Sequence, residues 1–266
     1  MKQEIRELIY RLKPLHMVLR YYKYNYFFHL GGGFDRKENL RRIEKLHNSK
    51  EGKRCFIIGN GPSLRVEDLE KLKDEETFAA NSIFKVFDKT DWRPTYYVVQ
   101  DEYYDVNNSI INSLGARLLF FGDAFQRRMK FTNNNILVIR GRYYLDQNKH
   151  RVSDDISKWY VNAPTVTFTT MQIAAYMGYK EIYLLGVDCD YRYIIENSKV
   201  VDRGEKKAHF YIDNNPRAVV TDEKGQINCY TAFKKYADSH DIVVKNATRG
   251  GKLEVFERVV FDKLLS

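Results

Sequence analysis

The sequence predicts an α/β fold with a mostly parallel sheet and helices on both faces. From Lys53 onward, apolar runs of five or six residues alternate with amphipathic or polar stretches, which is the pattern of buried strands separated by helices. The first run passes directly into a glycine turn and a helix start, the opening of a βα unit. These observations indicate a Rossmann-like domain over residues 51–266, preceded by a helical N-terminal extension over residues 1–50.

The extension is dense in aromatic and basic side chains. Its run IRELIYRLKPLHMVLRYYKYNYFFHL predicts an amphipathic basic helix interrupted near Pro14. Such a helix suits an anionic membrane surface, and it equally suits packing on its own domain or on a second subunit in a homo-oligomer. After Gly31–Gly33, the run DRKENLRRIEKLHNSKEG predicts a solvated helix that leads into the main domain.

The remaining elements follow in order along the chain. The runs RCFIIG, ETFAAN, TYYVVQ, ARLLFF and NILVIR predict five strands, and TVTFTTMQIAAYMGYKEIYLLGVD predicts a helix ending at Gly178 and a further buried strand. A polar excursion covers residues 189–225. It is longer than an ordinary connection, so we expect a substrate-covering lid or an inserted subdomain. A helix around 230–239, the strand DIVVKN and the turn ATRGG close the domain.

Composition excludes several classes of protein. The 266 residues are 44% hydrophobic and 30% charged, which is typical of a soluble globular chain. We expect no membrane span and no signal peptide, and hence a cytoplasmic protein, peripheral to the membrane if the extension binds lipid. The three cysteines are odd in number and lack metal-site spacing, so buried reduced thiols are expected.

The net charge of +9 favours a polyanionic partner. Nucleotide phosphates, acidic polysaccharides and anionic lipid head groups all qualify. The sequence contains no helix-turn-helix, zinc-finger or aromatic RNA-binding signature, so nucleic acid is not expected as a partner.

The turn in FIIGNGPSL is the local motif that most specifically indicates a binding site. Gly59, Asn60, Gly61 and Ser63 lie between a strand and a helix, where backbone N–H groups and the helix dipole can receive a phosphate. The motif is neither a P-loop nor the dinucleotide GxGxxG fingerprint. The alternative is a tight turn in which Ser63 caps the helix. Asn60 favours the nucleotide interpretation, because an amide can both donate to and accept from a base or sugar.

The order of several motifs resembles two related families. GNGPSL, Asn81 in FAANSIF, GYKEIYLLGVD and His209 in AHFY resemble the bacterial sialyltransferases that use CMP-sialic acid. The final NATRGGKLEVF is more similar to bacterial domains related to the archaeal 6-hydroxymethylpterin diphosphokinase, the MptE-like family. The resemblance covers 53–256.

The resemblance implies a set of nucleotide-binding residues. The glycine loop and Asn81 would contact phosphate and ribose, and Gln100 or Asp101 would complete that side of the cleft. Where the sialyltransferases carry Thr-Ser-Gly for the cytosine, this chain has APTVT, which keeps Thr165 and offers Thr167 in place of glycine. That departure leaves the identity of the base open.

A DxD pattern follows the strand IYLLGV. Asp188 is expected at the carboxyl edge of the sheet, where ligands bind in open α/β folds, and with Asp190 it matches the pattern by which many glycosyltransferases hold a divalent cation. The resembled sialyltransferases work without metal, so Asp188 is interpreted first as a ribose or substrate ligand. The resemblance also places Tyr191 and Tyr193 near the departing phosphate.

His209 is the expected general base. Imidazole titrates near neutral pH, which suits removal of a proton from an acceptor hydroxyl, and the resembled family places its base in the same context. The resemblance therefore implies an inverting glycosyltransferase that needs no cofactor and moves a sialic acid-like sugar, activated by CMP, from its nucleotide donor to a cell-surface glycan or lipid-linked precursor. The alternatives are a diphosphokinase using ATP and Mg, with Asp101 and Asp188 as metal ligands, and a non-catalytic nucleotide-binding protein.

Overall fold

The computed structural model describes most of the chain. The described residues are 18, 19, 22, 35–101, 106–127, 133–142, 151–207, 209–211 and 220–265. The basic aromatic helix expected over residues 5–30 lies outside them, apart from Val18, Leu19 and Tyr22, which are helical and exposed. No helix in the described ranges has both the length and the apolar character needed to cross a bilayer.

Strands and helices alternate through the described chain. The strands are β1 (Arg54–Ile58), β2 (Thr77–Ala80), β3 (Tyr96–Val99), β4 (Leu118–Gly122), β5 (Ile136–Ile139), β6 (Gly141–Arg142), β7 (Tyr160–Val161), β8 (Glu181–Leu185), β9 (Tyr193–Glu196), β10 (Lys199–Asp202), β11 (Val220–Thr221), β12 (Val243–Asn246) and β13 (Glu257–Arg258). The α-helices are α1 (Arg36–Glu44), α2 (Val66–Glu70), α3 (Asn108–Ser113), α4 (Val166–Tyr176) and α5 (Glu223–Asp238). Short 3₁₀ helices span Asn81–Val86, Asp123–Arg127 and Phe261–Leu264.

Eight strands form one parallel sheet in the order β13-β12-β8-β1-β2-β3-β4-β5. The chain builds outward from β1 through β5 on one side, then returns to place β8 on the other side. Strand order therefore reverses between β1 and β8, the point at which open α/β sheets bind ligands. The predicted α/β fold is confirmed, and each of the seven predicted apolar runs forms a strand of this sheet.

Both faces of the sheet are covered by helices. In β1, Cys55 and Ile57 face a core that includes Phe168 of α4 and Phe233 of α5, whereas the alternate residues Phe56 and Ile58 face a second core on the side of α2 and α3. Because both faces are buried, the strand is apolar throughout rather than alternating. This double burial is why the sequence shows continuous apolar runs.

Helix α1 packs on the outer edge of the sheet. Asn39 donates its amide to the carbonyl of Val138 in β5 (2.8 Å) and accepts the N–H of Val138 (2.9 Å), and the Arg42 guanidinium donates to the Ile136 carbonyl (3.3 Å). Ile43 is buried in the core. The segment that the sequence placed in the extension, as a solvated helix, is thus packed on the α/β domain and satisfies the open edge of β5.

The polar excursion over residues 189–225 contains a small sheet. Strands β10, β9 and β11 pair in that order, and β9 and β10 form an antiparallel hairpin. The turn residues Asn197 and Ser198 have φ of 49° and 63°, the positive values of a tight hairpin turn. Helix α5 begins within this stretch, capped by Asp222, earlier than the sequence analysis placed it.

Candidate active site

A cavity of about 320 Å³ opens at the carboxyl ends of β1, β2 and β8, beside the reversal of strand order. Ten of the thirteen residues proposed from the sequence line it. They are Gly59, Asn60, Gly61, Asn81, Asp101, Thr165, Thr167, Asp188, Tyr191 and His209. The volume falls within the roughly 300–1,000 Å³ of small-molecule sites.

The glycine loop packs tightly on the turn that follows β8. The N–H of Gly59 donates to the Leu185 carbonyl (2.8 Å), and the N–H of Gly61 donates to the Gly186 carbonyl (2.9 Å). A Cβ on Gly59 would lie 2.2 Å from the Gly186 oxygen. The two glycines therefore allow one loop to approach another, and their N–H groups are not aimed at a phosphate as the sequence suggested.

Asp188 holds the glycine loop in place. Its Oδ2 accepts the Ser63 hydroxyl (2.8 Å), and the Ser63 backbone N–H donates to the same carboxylate. Burial raises the pKa of Asp188, and the two donors from Ser63 oppose that shift. The residue that precedes α2 as N-cap is Arg65, so Ser63 is a partner of Asp188 rather than a helix cap.

Two residues that line the cavity, Asn60 and Asn81, each have a buried side-chain oxygen without a hydrogen-bond partner in the described part of the chain. Asn60 donates its amide N–H to the Ala80 carbonyl (3.0 Å), which leaves Oδ1 as the unpaired atom. Asn81 has a φ of 54°, a strained value for a residue other than glycine, and its Oδ1 is likewise unpaired. An unpaired buried acceptor costs about 1–3 kcal/mol. Both oxygens are therefore suited to accept hydrogen bonds from a ligand.

Two helices begin at the cavity. Thr165 caps α4 and accepts the N–H of Thr167 (3.3 Å) on its hydroxyl oxygen, while Asp222 caps α5 and accepts the N–H of Gly225 (3.0 Å). Helix N-termini carry partial positive charge that favours anions. Thr167, which stands where glycine was expected, is buried at the start of α4 and lines the cavity.

Two tyrosines present buried phenols at the same wall. Tyr191 donates to Gln226 Oε1 (2.8 Å), and the Tyr230 hydroxyl lies 3.4 Å from that of Thr165. Burial raises the pKa of both phenols well above its ordinary value, so both stay protonated. Tyr230 was not found from the sequence. Tyr193, which was proposed, lies in β9 with the Arg192 guanidinium 4.9 Å from its ring and does not line the cavity.

Gln100 is buried and holds two elements together, whereas the next residue, Asp101, lines the cavity. Gln100 donates to the Ala163 carbonyl (2.9 Å) and accepts the Thr169 hydroxyl (2.5 Å), so it ties β3 to α4. It is 2% exposed and does not line the cavity. Asp101, one residue later, lines the cavity. Of the two alternatives at this strand end, only Asp101 can meet a ligand directly.

The second carboxylate of the DxD pattern is bound to lysines. Asp190 pairs with the ammonium groups of Lys206 and Lys252, and the hydrogen bond from Lys206 contributes most to lowering its pKa. Within the described ranges no group of three or more His, Cys, Asp or Glu side chains is arranged to hold a metal ion. The Asp190 carboxylate is thus neutralised by two lysine ammonium groups.

His209 reaches the cavity from the excursion. The N–H of the next residue, Phe210, donates to the backbone carbonyl of Asn60 (3.2 Å). The His209 ring stacks on Tyr211, with centroids 4.9 Å apart and an interplanar angle of 14°. The residue after the proposed base is therefore hydrogen-bonded to the glycine loop.

Comparison with known proteins finds a matching family and similar solved structures, of which two are described. Residues 35–193 match the model of the 6-hydroxymethylpterin diphosphokinase MptE-like family. The MAf glycosyltransferase from Magnetospirillum magneticum AMB-1 aligns with 18% identity and a TM-score of 0.48 over 88% of this chain, which spans 39% of that chain. The sialyltransferase CstII from Campylobacter jejuni, in complex with the substrate analogue CMP-3FNeuAc, aligns with 15% identity and a TM-score of 0.46 over 78% of this chain and 86% of that one. No curated protein matches the sequence.

Proposed function

Since the chain belongs to the 6-hydroxymethylpterin diphosphokinase MptE-like family, we propose that it is a nucleotide-dependent transferase, and specifically an inverting glycosyltransferase. The donor we propose is a sialic acid-like sugar activated by CMP. The acceptor is a hydroxyl of a cell-surface glycan or of its lipid-linked precursor. No cofactor enters this reaction.

One observation supports the nucleotide proposal: Asn60 and Asn81, whose side-chain oxygens lack a partner in the described part of the chain, line the cavity at which helix α4 begins. Ribose hydroxyls and an exocyclic base amine are donors that match such acceptors. Phosphate oxygens match the N-terminus of α4, which has a neutral cap, Thr165, and no acidic residue in its first turn. A nucleotide offers both kinds of group within one molecule.

The proposed transfer step uses three side chains that line the cavity, His209, Tyr191 and Tyr230. His209 takes the proton of the acceptor hydroxyl as its oxygen bonds to the anomeric carbon, and the bond from that carbon to the donor phosphate breaks on the other face. The Tyr230 phenol donates a hydrogen bond to the departing phosphate, and the Tyr191 phenol does so by exchanging its hydrogen bond to Gln226 Oε1. Attack opposite the leaving group inverts the anomeric centre.

The partner and location proposals follow from the charge of the chain. A net charge of +9 would hold the enzyme near an anionic glycan or the inner face of a membrane. The N-terminal basic and aromatic run supports a peripheral membrane contact, and a contact between two copies of the chain is the alternative for the same segment.

A diphosphokinase reaction is the second candidate. The family name supports it, and Asp101 and Asp188 line one cavity as carboxylates that could hold the Mg²⁺ bridging the phosphates of ATP. In that reaction the side-chain oxygens of Asn60 and Asn81 would accept hydrogen bonds from the adenosine. The two candidates differ in their nucleotide and in their need for metal.

Calorimetric titration with CMP, CDP, UDP and ATP, each with and without Mg²⁺, tests both. Tight binding of CMP without metal is expected. A requirement for ATP with Mg²⁺ would replace the glycosyltransferase with the diphosphokinase, and no binding across the set would leave a non-catalytic protein and overturn both.

Substitution of the base tests the transfer step. We expect His209→Ala to slow transfer by roughly 10²–10⁴-fold, the usual loss for a general base, with little change in donor affinity. His240→Ala is the matched control, because His240 lies on Tyr236 at the exposed end of α5. Equal rates for His209→Ala and His240→Ala would exclude His209 as the base.

A further inference from the structure

The His209 imidazole is held within a stack of three groups. Its ring lies nearly parallel to that of Tyr211 at 4.9 Å, and the Lys85 ammonium lies 5.2 Å from the centroid of the Tyr211 ring. Lys85 belongs to the 3₁₀ helix that follows β2. The stack therefore connects the excursion to the sheet through side chains alone.

A general base in this segment needs such support. His209–Tyr211 lies in neither a helix nor a strand, so no backbone ladder fixes the direction of the imidazole. Proton transfer requires a ring nitrogen within hydrogen-bond distance of the acceptor hydroxyl. A displacement of about 1 Å can lower a rate about 100-fold, so the ring that covers one face of His209 affects catalysis without touching substrate.

A second contact joins the base to the donor site. Asn60 accepts the N–H of Phe210 on its backbone carbonyl, while its unpaired side-chain oxygen is buried at the cavity. One residue thus contacts the segment that carries His209 and offers an acceptor to the donor. A donor that hydrogen-bonds to Asn60 is thereby coupled to that segment.

We propose that Tyr211, supported by Lys85, is a positioning residue that orients His209, and that the link from Phe210 to Asn60 makes this orientation depend on bound donor. The inference rests on the proposed function, in which His209 is the base. It implies ordered binding, with the nucleotide donor first and the acceptor second.

The first test separates orientation from binding. Tyr211→Leu is expected to lower kcat by about 10- to 100-fold with donor KM changed less than about twofold, and Lys85→Met to lower kcat by about 3- to 10-fold. Tyr211→Phe keeps the ring and should restore most of the rate. Tyr236→Leu, which removes a similar tyrosine-histidine stack at His240 (3.9 Å, 21°), is the matched control and should leave kcat unchanged.

The second test does not depend on activity. In protein labelled with ¹³C-histidine, Tyr211→Leu should remove the ring-current shift of the His209 Cε1–H signal, and CMP should narrow that signal in the wild type. An unchanged signal in Tyr211→Leu, or a kcat equal to that of Tyr236→Leu, would overturn the positioning role. A lost NMR shift combined with full activity of His209→Ala would instead refute the proposed base while confirming the stack.

Discussion

Gly61→Ala tests why the loop after β1 contains glycine. A Cβ at this position would lie 1.9 Å from Asp188 Oδ2 and 2.7 Å from the Gly186 carbonyl oxygen. The same Oδ2 accepts the Ser63 hydroxyl, so it cannot move aside without losing that bond. Overpacking costs about 1–3 kcal/mol, and a hydrogen bond to a charged group contributes about 1.5–3 kcal/mol. We expect the free energy of unfolding to fall by about 3–5 kcal/mol.

Urea denaturation of four variants measures this cost. Gly52→Ala is the control, because Gly52 has a φ of 76° with open space around it and its replacement costs only the backbone strain of about 1–2 kcal/mol. In an Asp188→Ala background, where the nearest clash is gone, Gly61→Ala should cost at least about 1 kcal/mol less than alone. Additive effects in the double variant, or a Gly61→Ala protein as stable as Gly52→Ala, would refute the steric explanation.

Three further predictions concern charge and the sheet edge. Burial raises the pKa of Asp188, so this carboxyl binds a proton more tightly in the folded protein than in the unfolded chain. The free energy of unfolding of the wild type should therefore fall as pH rises from below the ordinary aspartate pKa through the raised value. In urea denaturation, Asp188→Asn should lose this dependence of stability on pH, and an unchanged dependence would contradict the raised pKa. Asn39→Ala should destabilise the protein by about 1 kcal/mol in the same assay, since it removes both hydrogen bonds to Val138; no loss would mean that water replaces them. Lys206→Met and Lys252→Met should each weaken CMP binding about 3- to 10-fold at low salt in calorimetry, because Asp190 would lose one of the two lysine cations paired with it. Unchanged affinity would show that these lysines do not offset the negative charge of the nucleotide phosphate.

Local sequence pattern predicted the strands but not their order. Each strand of the central sheet is buried on both faces, so it appears as an apolar run that can be recognised alone. The pairing of β1 with β8 joins segments more than about 100 residues apart, and no local pattern encodes a contact at that separation. The same limit applied to helix α1: its amphipathic pattern was visible, but the hydrogen bonds of Asn39 to an edge strand were not.

The site was predicted where a residue follows directly from a strand end. Asn60, Asn81 and Asp188 all follow strands of one parallel sheet, so their convergence could be expected. Tyr230 was missed because it enters through α5, whose start at Asp222 was not recognised within the polar excursion. Tyr193 was proposed from the family resemblance, yet it pairs in register with Asp202 across the hairpin of β9 and β10 and does not line the cavity.

The position of β8 also bears on how the chain folds during synthesis. β1 lies at the centre of the finished sheet, but its partner β8 follows it by about 120 residues, which take roughly 6–25 s to translate at about 5–20 residues per second. Until then the nascent sheet from β1 to β5 presents the open backbone edge of an apolar strand, Arg54–Ile58. Open edges of this kind recruit other chains. We therefore expect pairing with other chains to be most favoured in the ribosome-bound intermediate, before β8 has been synthesised.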